Sequence, residues 1–560
     1  MKSRKIVSAI LAFAVAGITS FGAPSAVQAV ATVYVPDDVF ESKLIAMGYD
    51  TGTPDNYVPL SNVQNLTSLD LSNLQITNYE GLRDFLSLTT LNISGNTVIT
   101  DLTKTTLPLP SRISSVDISG ATKLVSLSLD SWEGSLKNLS ELILTGNQAL
   151  YDLTVTNSRL AAIDVSTLTA LVVLNLQNNQ LTALNTTTNT ALQDLYLDGN
   201  KLSTLDVSTL TILATLSANS NNLTSVMMNS TKLGDVNLSD NLLITFTLKD
   251  LPELTNLSLY NNKLTEFSAT AVPRLDTLDL SRNNFSSLTL SDYPSLKNLY
   301  LMGNSSLTSL SVLNMPMLSS VMTSYGYYDY YDNEEDGRLT TVTLGSLPSL
   351  TEVNFANGKL AKIDLSGVPM LTTVNLSNNS LKTLDVTSNI YLKNLTVADN
   401  SLTRLDVSKN VALTSINANN NKFAALNVSA NTMLSSLDAS RNRITKIDLS
   451  NNTRLERVTL SYNKLKVLNL SALTDLNYLY VNFNQLKALN VSKNVMLTSI
   501  SANNNKITTF SGSANKSLRL LNLKGNKIKK ISVSANTSLK SLDVSYNTIK
   551  TIKVSGLKSL

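Results

Sequence analysis

A solenoid of mostly β structure is the fold class this sequence predicts, and three observations predict it. A hydrophobic residue, followed five places later usually by asparagine, recurs every 21 residues. The series runs from Val353 through Val374, Leu395, Ile416, Leu437, Val458, Leu479, Ile500 and Leu521 to Leu542 without insertion or deletion. A fixed period of this length marks stacked repeats that share one continuous core. Around each reference residue the hydrophobics alternate, as in Leu192-x-x-Leu195-x-Leu197, the pattern of a short strand buried on one face.

The chain opens with a targeting segment. Lys2, Arg4 and Lys5 precede an apolar run from Ile6 to Phe21, and small residues offer cleavage after Ala29 or Ala31. Residues 1–31 therefore read as a secretory signal peptide. Residues 32–58 lack the repeat pattern. Phe40, Leu44 and Met47 have helical spacing, Asp38 with Glu41 three places on resembles a capping box, and Gly48 suits the position past the helix end. The expectation is a short helical cap over the open end of the first repeat, with the solenoid spanning 59–560.

Early repeats are uneven. The reference hydrophobic falls at Leu69, Leu91, Val116 and Leu142, and an 11-residue step then leads to Leu153. From Leu153 the 21-residue period holds through Leu174, Leu195 and Leu216, and after one step of 20 to Val236 it continues to Leu299. Each repeat contains two similar halves, Leu171-x-x-Leu174-x-Leu176 and Leu181-x-x-Leu184, so the short step predicts the gain or loss of half a repeat. The asparagine sits where the chain leaves the strand. There its amide can satisfy backbone groups otherwise buried without partners, so the series from Asn179 to Asn304 and from Asn379 to Asn547 reads as structural. The second half, as in Leu405-Asp406-Val407-Ser408, is too short and β-branched for a helix of several turns and predicts extended backbone.

Units such as Leu381-Lys382-Thr383-Leu384-Asp385-Val386-Thr387-Ser388-Asn389 and Leu402-Thr403-Arg404-Leu405-Asp406-Val407-Ser408-Lys409-Asn410 resemble bacterial secreted leucine-rich repeat proteins with a 21-residue unit of two nested halves. The leader from Pro36 to Tyr49 is similar to theirs, and the internalins are more distant relatives in this resemblance. It implies an α/β-type solenoid, predominantly β, with a concave parallel sheet, mostly extended convex segments and a short N-terminal helical cap. It also implies surface display and binding. Leu560 lies 21 residues after Leu539, on the first leucine of another unit, so the expectation is that the array continues beyond 560.

Composition narrows the chemistry. The chain has no Cys and no His, which excludes disulfides, zinc sites built on those residues and catalytic relays through imidazole or thiol. No catalytic constellation and no phosphate-binding glycine loop is present, so the chain reads as non-enzymatic, and no cofactor is expected. Charge is uneven: residues 1–400 carry a net −13 and residues 401–560 a net +17, a gradient able to steer an anionic partner.

Three regions are candidates for binding. The segment 327–337 interrupts the array, and its Tyr327, Tyr328, Tyr330 and Tyr331 stand among five acids. Tyr325 precedes it, and Tyr300 and Met302 lie outward one repeat earlier. Insertions in a solenoid project from one face, and tyrosine supplies contact area at low entropic cost. Within it Asp332, Glu334 and Asp336 resemble the start of a calcium loop, but Thr343 occupies the place of the distal acid, so no metal is assigned. The second region is an aromatic platform on the concave face formed by Tyr462, Tyr478, Tyr480 and Phe483, with Arg457 nearby. The third is the basic end, Lys524, Lys527, Lys529 and Lys530.

A protein ligand is the expected partner, met through the concave face and the insertion at the surface of a bacterial cell or after secretion. A glycan or anionic cell-wall polymer is the alternative, and a targeting arm of a longer enzyme is a further one. Secretion argues against nucleic acid, and no transmembrane segment remains after signal removal.

Overall fold

The computed structural model describes residues 30–130, 136–324, 338–554, 556, 557, 559 and 560. Among them the expected parallel solenoid is present, with one three-residue strand at almost every reference position. Asp194–Tyr196 is representative. It pairs in parallel with Val173–Asn175 on one side and Thr215–Ser217 on the other, and Leu195 lies between Leu174 and Leu216. Leu192, Leu195 and Leu197 are wholly buried, whereas Asp194 and Tyr196 are half-buried on the outward side. A one-residue slip would turn every leucine outward, so the buried face fixes the register of the whole sheet. That register runs unbroken to Leu521 paired with Leu542.

The 11-residue step is not the loss of half a repeat. Leu153 pairs with Leu127, and Leu127 with Leu102, so the long sheet continues backward through the second halves of the early repeats. Leu69, Leu91, Val116 and Leu142 form a separate four-stranded sheet on the other face. Their row also continues: Arg159 N donates to Leu139 O (2.8 Å), as Gln180 N donates to Leu160 O and Lys201 N to Leu181 O one and two repeats later. Both rows are continuous, and the sequence motif changes face between Leu142 and Leu153. The two halves are alike enough for either to carry the better motif.

The second halves are extended as expected. In places they pair as parallel strands, such as Thr204–Val207 with Ser225–Met228 and Ser287–Ser291 with Ser309–Leu313. Helix is confined to Asp38–Ala46, the four residues Leu60–Val63 and a 3-10 turn at Leu82–Asp84, among the described residues.

The leading helix is capped differently from the expectation. Asp37, not Asp38, is the N-cap, and its Oδ1 accepts from Val39 N and Phe40 N (both 3.1 Å). Glu41 does not reach back to the cap. It is fully buried, and its two oxygens accept from Asp55 N and Asn56 N (both 2.8 Å). The reason is tertiary: the loop that returns after the helix brings two unpaired N–H groups to Glu41. At the other end Gly48 adopts φ +79°, with Gly48 N bonded to Ile45 O and Tyr49 N to Leu44 O, a Schellman ending. Phe40 and Leu44 are buried, and the Phe40 ring stacks near Phe85 of the repeat below (6.2 Å between centroids), while Met47 stays exposed.

Two asparagine ladders stitch the coils. In the first, Asn200 Oδ1 accepts from Leu181 N (3.0 Å) while its Nδ2 donates to Leu176 O and Leu197 O (both 2.9 Å). The same set recurs at Asn221, Asn262, Asn421, Asn442, Asn484 and Asn505. A second ladder, which the sequence pattern does not single out, runs along the opposite turn. Asn410 Nδ2 donates to Val386 O and to Asn389 O (both 2.8 Å), and Asn431, Asn452, Asn515 and Asn536 repeat the arrangement. These asparagines are wholly buried.

The interruption leaves the sheet intact. Ser320–Met322 pairs directly with Glu352–Asn354, and Ser309–Leu313 with Thr341–Leu344, in the same register as their neighbours. Tyr325, Tyr327, Tyr328, Tyr330, Tyr331, Asp332, Glu334 and Asp336 lie outside the described residues, as do residues 1–29 of the expected signal segment 1–31.

Candidate binding surface

Outward positions of the long sheet are mostly Ser, Thr, Asn and Asp. Tyr196, Tyr300 and Met322 depart from this singly or in a pair, and an Arg–Tyr cluster departs from it at Arg457–Thr459 and Tyr478–Tyr480, adjacent strands in which Arg457 faces Tyr478 and Thr459 faces Tyr480. The Arg457 guanidinium lies 4.3 Å from the Tyr478 ring centroid and 6.0 Å from that of Tyr480. Both tyrosines are half-buried and Arg457 is exposed. The strands deliver this geometry, because neighbours in a sheet stand about 4.8 Å apart and alternate residues share a side.

Tyr462 and Phe483 do not belong to that platform. They lie past the strand, in the turn, with φ +56° and +52°. Their rings stack on one another, 4.3 Å between centroids and 12° between planes, and the Arg441 guanidinium covers Tyr462 at 4.9 Å. The expected single platform is therefore two stacks, one on the sheet and one on the turn edge. Alternation cannot foresee this, since a left-handed residue breaks the period that assigns direction.

The turn position is constrained in every repeat from Val353 on. The row Asn357, Asn378, Asp399, Asn420, Arg441, Tyr462, Phe483, Asn504, Gly525, Tyr546 has φ between +51° and +66° throughout. Asn, Asp and Gly tolerate that region, and polar members bond along the row, as Asn378 Nδ2 does to Asn357 Oδ1 (3.2 Å). Immediately after comes the ladder asparagine, except at Gly358. With hydrophobics at the reference residue and two places on, a three-residue parallel strand, a left-handed turn residue and a ladder asparagine, the unit is complete. The chain is a leucine-rich repeat solenoid.

No protein-family model matches this leucine-rich repeat chain, and no curated protein does. Among solved structures it is similar to the functional domain of InlJ from Listeria monocytogenes, at 23% identity and a TM-score of 0.32, covering 90% of this chain and 82% of that one. YopM from Yersinia enterocolitica WA-314 is 22% identical with a TM-score of 0.46, covering 88% and 90%. The plant peptide hormone receptor RGFR1, solved in complex with RGF2, is 19% identical with a TM-score of 0.47, covering 81% and 89%. These are likenesses of fold alone.

The other sequence candidates fall at defined places in the repeats. Tyr300 sits on the sheet between Asp279 and Met322, half-buried, and Met302 lies just past that strand. The lysine cluster divides. Lys524 lies 5.2 Å from the Tyr546 ring and Lys527 is exposed just past the ladder residue Asn526 on the same turn. Lys529 and Lys530 lead into the strand Lys530–Ser532 of the second halves, where with Lys550 and Lys553 they line a cavity of about 880 Å³. The four lysines are thus not one patch.

The acids have structural work. Asp385 accepts from the Thr387 hydroxyl (2.6 Å) and Thr387 N (2.9 Å), which hold its carboxyl below the ordinary value, and Asp406 accepts likewise from Ser408 N. Asp152, at the acidic end of the long sheet, goes the other way. Burial raises its carboxyl, and the charge of Asp101 adds to that. Spacing along the chain gives no sign of Glu41, Asp50 and Asp55, whose carboxylate oxygens come within 4.8 Å of one another. Both oxygens of Glu41 already serve backbone N–H groups, so the cluster works as a loop anchor. No helix of the described residues is long and apolar enough to cross a membrane.

Proposed function

We propose that this chain is a non-enzymatic binding module that recognises a protein partner through the outward side of its long sheet, with the Tyr-rich insertion 327–337 as a second contact. It acts secreted or at a bacterial cell surface, in an adhesion-type role. The observation that carries the reading is the Arg457, Tyr478 and Tyr480 cluster. It replaces the small polar residues that fill most outward positions of the sheet with the residue types that dominate protein hot spots. Such side chains need burial by something beyond the chain to contribute much, because an exposed cation–π pair is worth only about 0.5–1 kcal/mol.

The test is affinity capture from extracts of neighbouring or host cells, followed by titration of the captured protein. Tyr478→Ser with Tyr480→Ser is expected to weaken binding by about tenfold or more, with an unchanged melting temperature. Equal capture by wild type and this variant would sink the sheet as the contact. Deleting 327–337 is expected to leave the melting temperature nearly unchanged, because the flanking strands already pair across it, and to weaken binding. Intact binding would remove the insertion from the reading. A glycan array in parallel tests the alternative of a sugar or cell-wall polymer ligand.

A further inference from the structure

The geometry points to a separate docking edge on the turns that leave the long sheet, built to hold an acidic, extended polypeptide segment. This rests on the reading of the chain as a protein-binding module. Two rows of side chains define the edge, and both run along the axis of the array.

The first row is the left-handed turn position. From Asn357 to Asn420 it holds Asn or Asp, residues that suit a positive φ. In the next three repeats it holds Arg441, Tyr462 and Phe483. Bulky side chains in this region are backbone outliers, and no packing requirement of the core explains them: all three are exposed, Tyr462 at 45% and Phe483 at 42%. The solenoid instead turns them into a continuous stack. Successive turns stand about 4.8 Å apart, close to the separation at which planar groups stack, so guanidinium, phenol and phenyl lie one on another. Their faces are used within the stack, and their edges point to solvent.

The second row lies two residues further along the same turns, beyond the buried ladder asparagine. It reads Lys422, Arg443, Lys464, Gln485, Lys506 and Lys527, with every cation exposed. Side chains of this row reach their neighbours, as Lys422 Nζ does to Ser401 Oγ (3.1 Å). Neither row carries an acid between Asn420 and Lys527. The pairing is therefore a line of cations beside a short ribbon of aromatic edges, which carry the positive side of the ring quadrupole. Carboxylates on an extended chain complement both, and apolar side chains of the same segment can cover the Tyr462 and Phe483 edges. The net +17 of residues 401–560 would steer such a segment to this end.

The experiment uses the full chain and a fluorescein-labelled twelve-residue peptide of alternating Glu and Leu, read by anisotropy at low salt. A Lys/Leu peptide of the same length and inorganic polyphosphate are the comparison probes. The Glu peptide is expected to bind, the Lys peptide not to, and affinity to fall steeply as salt rises. Replacing Arg441, Tyr462 and Phe483 together by Asn, the row's own residue, is expected to weaken peptide binding by about tenfold or more. The melting temperature should be held or raised, since Asn suits the turn better. Arg443→Ser with Lys464→Ser and Lys506→Ser should do the same and flatten the salt dependence. The sheet variant Tyr478→Ser/Tyr480→Ser should bind the peptide within about twofold of wild type. Unchanged peptide affinity in the triple Asn variant overturns the edge while leaving the sheet reading standing. Tighter binding of polyphosphate than of the peptide overturns the polypeptide as occupant. Loss of partner capture in the sheet variant with peptide binding retained supports both surfaces as separate.

Discussion

Asn442→Ala is expected to destabilise the array by about 3 kcal/mol, more than most single surface or turn substitutions. One side chain serves four backbone groups: its Oδ1 accepts from Phe423 N (3.0 Å), and its Nδ2 donates to Ala418 O (2.9 Å), Ala439 O (3.2 Å) and Ser440 O (3.0 Å). Phe423, Ala418 and Ala439 are wholly buried, so water cannot replace the lost partner at three of these. A buried polar group left without a hydrogen bond costs about 1–3 kcal/mol, and at least two are orphaned here. Asn442→Asp should be as harmful, since it keeps the acceptor but removes the donor and buries charge. Because an array can lose a few coils without unfolding entirely, the readout is hydrogen exchange beside urea unfolding. Exchange at Phe423 N–H should accelerate by more than about a hundredfold, with smaller effects several repeats away. A change below about 0.5 kcal/mol would mean that the ladder is incidental.

Asp37→Ala is expected to loosen the N-terminal end by about 2–3 kcal/mol. The carboxylate caps the helix through Val39 N and Phe40 N, and its other oxygen accepts from Thr77 N (2.9 Å), Thr77 Oγ1 (2.9 Å) and Asn78 N (3.1 Å), forty residues on. Burial pushes this carboxyl up, but the hydrogen bonds from Thr77, Phe40 and Asn78 together outweigh it and leave the group below its ordinary value. The folded form therefore holds its proton less tightly than the unfolded chain, whose Asp titrates near about 3.9. The stabilisation is complete above that value and is lost as pH falls through the lower folded one. Wild type should lose protection of the helix amides on acidification below about pH 4, while Asp37→Asn, weaker at neutral pH, should lack that part of the acid limb. Parallel acid profiles for the two proteins would show that Asp37 does not carry it.

The recurring features were legible because they repeat. A buried leucine, an alternating strand and an asparagine at the exit of the strand each follow from local pattern, and stacking copies of one unit preserves the pattern in space. Asn179 to Asn304 and Asn379 to Asn547 could thus be set aside as structural from spacing alone. The second ladder was in plain sight at Asn389 and Asn410, yet nothing local marks those residues as buried; their partners are carbonyls one turn below. At Leu142 to Leu153 the spacing misled. Both halves of the unit carry the same leucine motif, so a change of face and a missing half repeat look identical along the chain.

The candidate sites show the same division. Arg457, Tyr478 and Tyr480 share one side of the sheet, as alternation along their strands requires. Tyr462 and Phe483 depart from it, because the sign of φ at the turn decides where they point. Asp37, Asp38 and Glu41 are all plausible partners for one helix end. Only the approach of Thr77 from the next repeat and of Asp55 from the returning loop settles which acid does what.

What the sequence by itself determined is the one-dimensional order: the period, the buried face of each strand and the residues that occupy each position in the unit. The tertiary structure alone decided which positions from different coils meet. Coils are joined by hydrogen bonds about 21 residues apart along the chain and about 4.8 Å apart in space. That short spacing turns Arg441, Tyr462 and Phe483 into a stack, and turns scattered lysines into a line. Local propensity has no access to contacts made at that separation, whereas stacking makes them unavoidable.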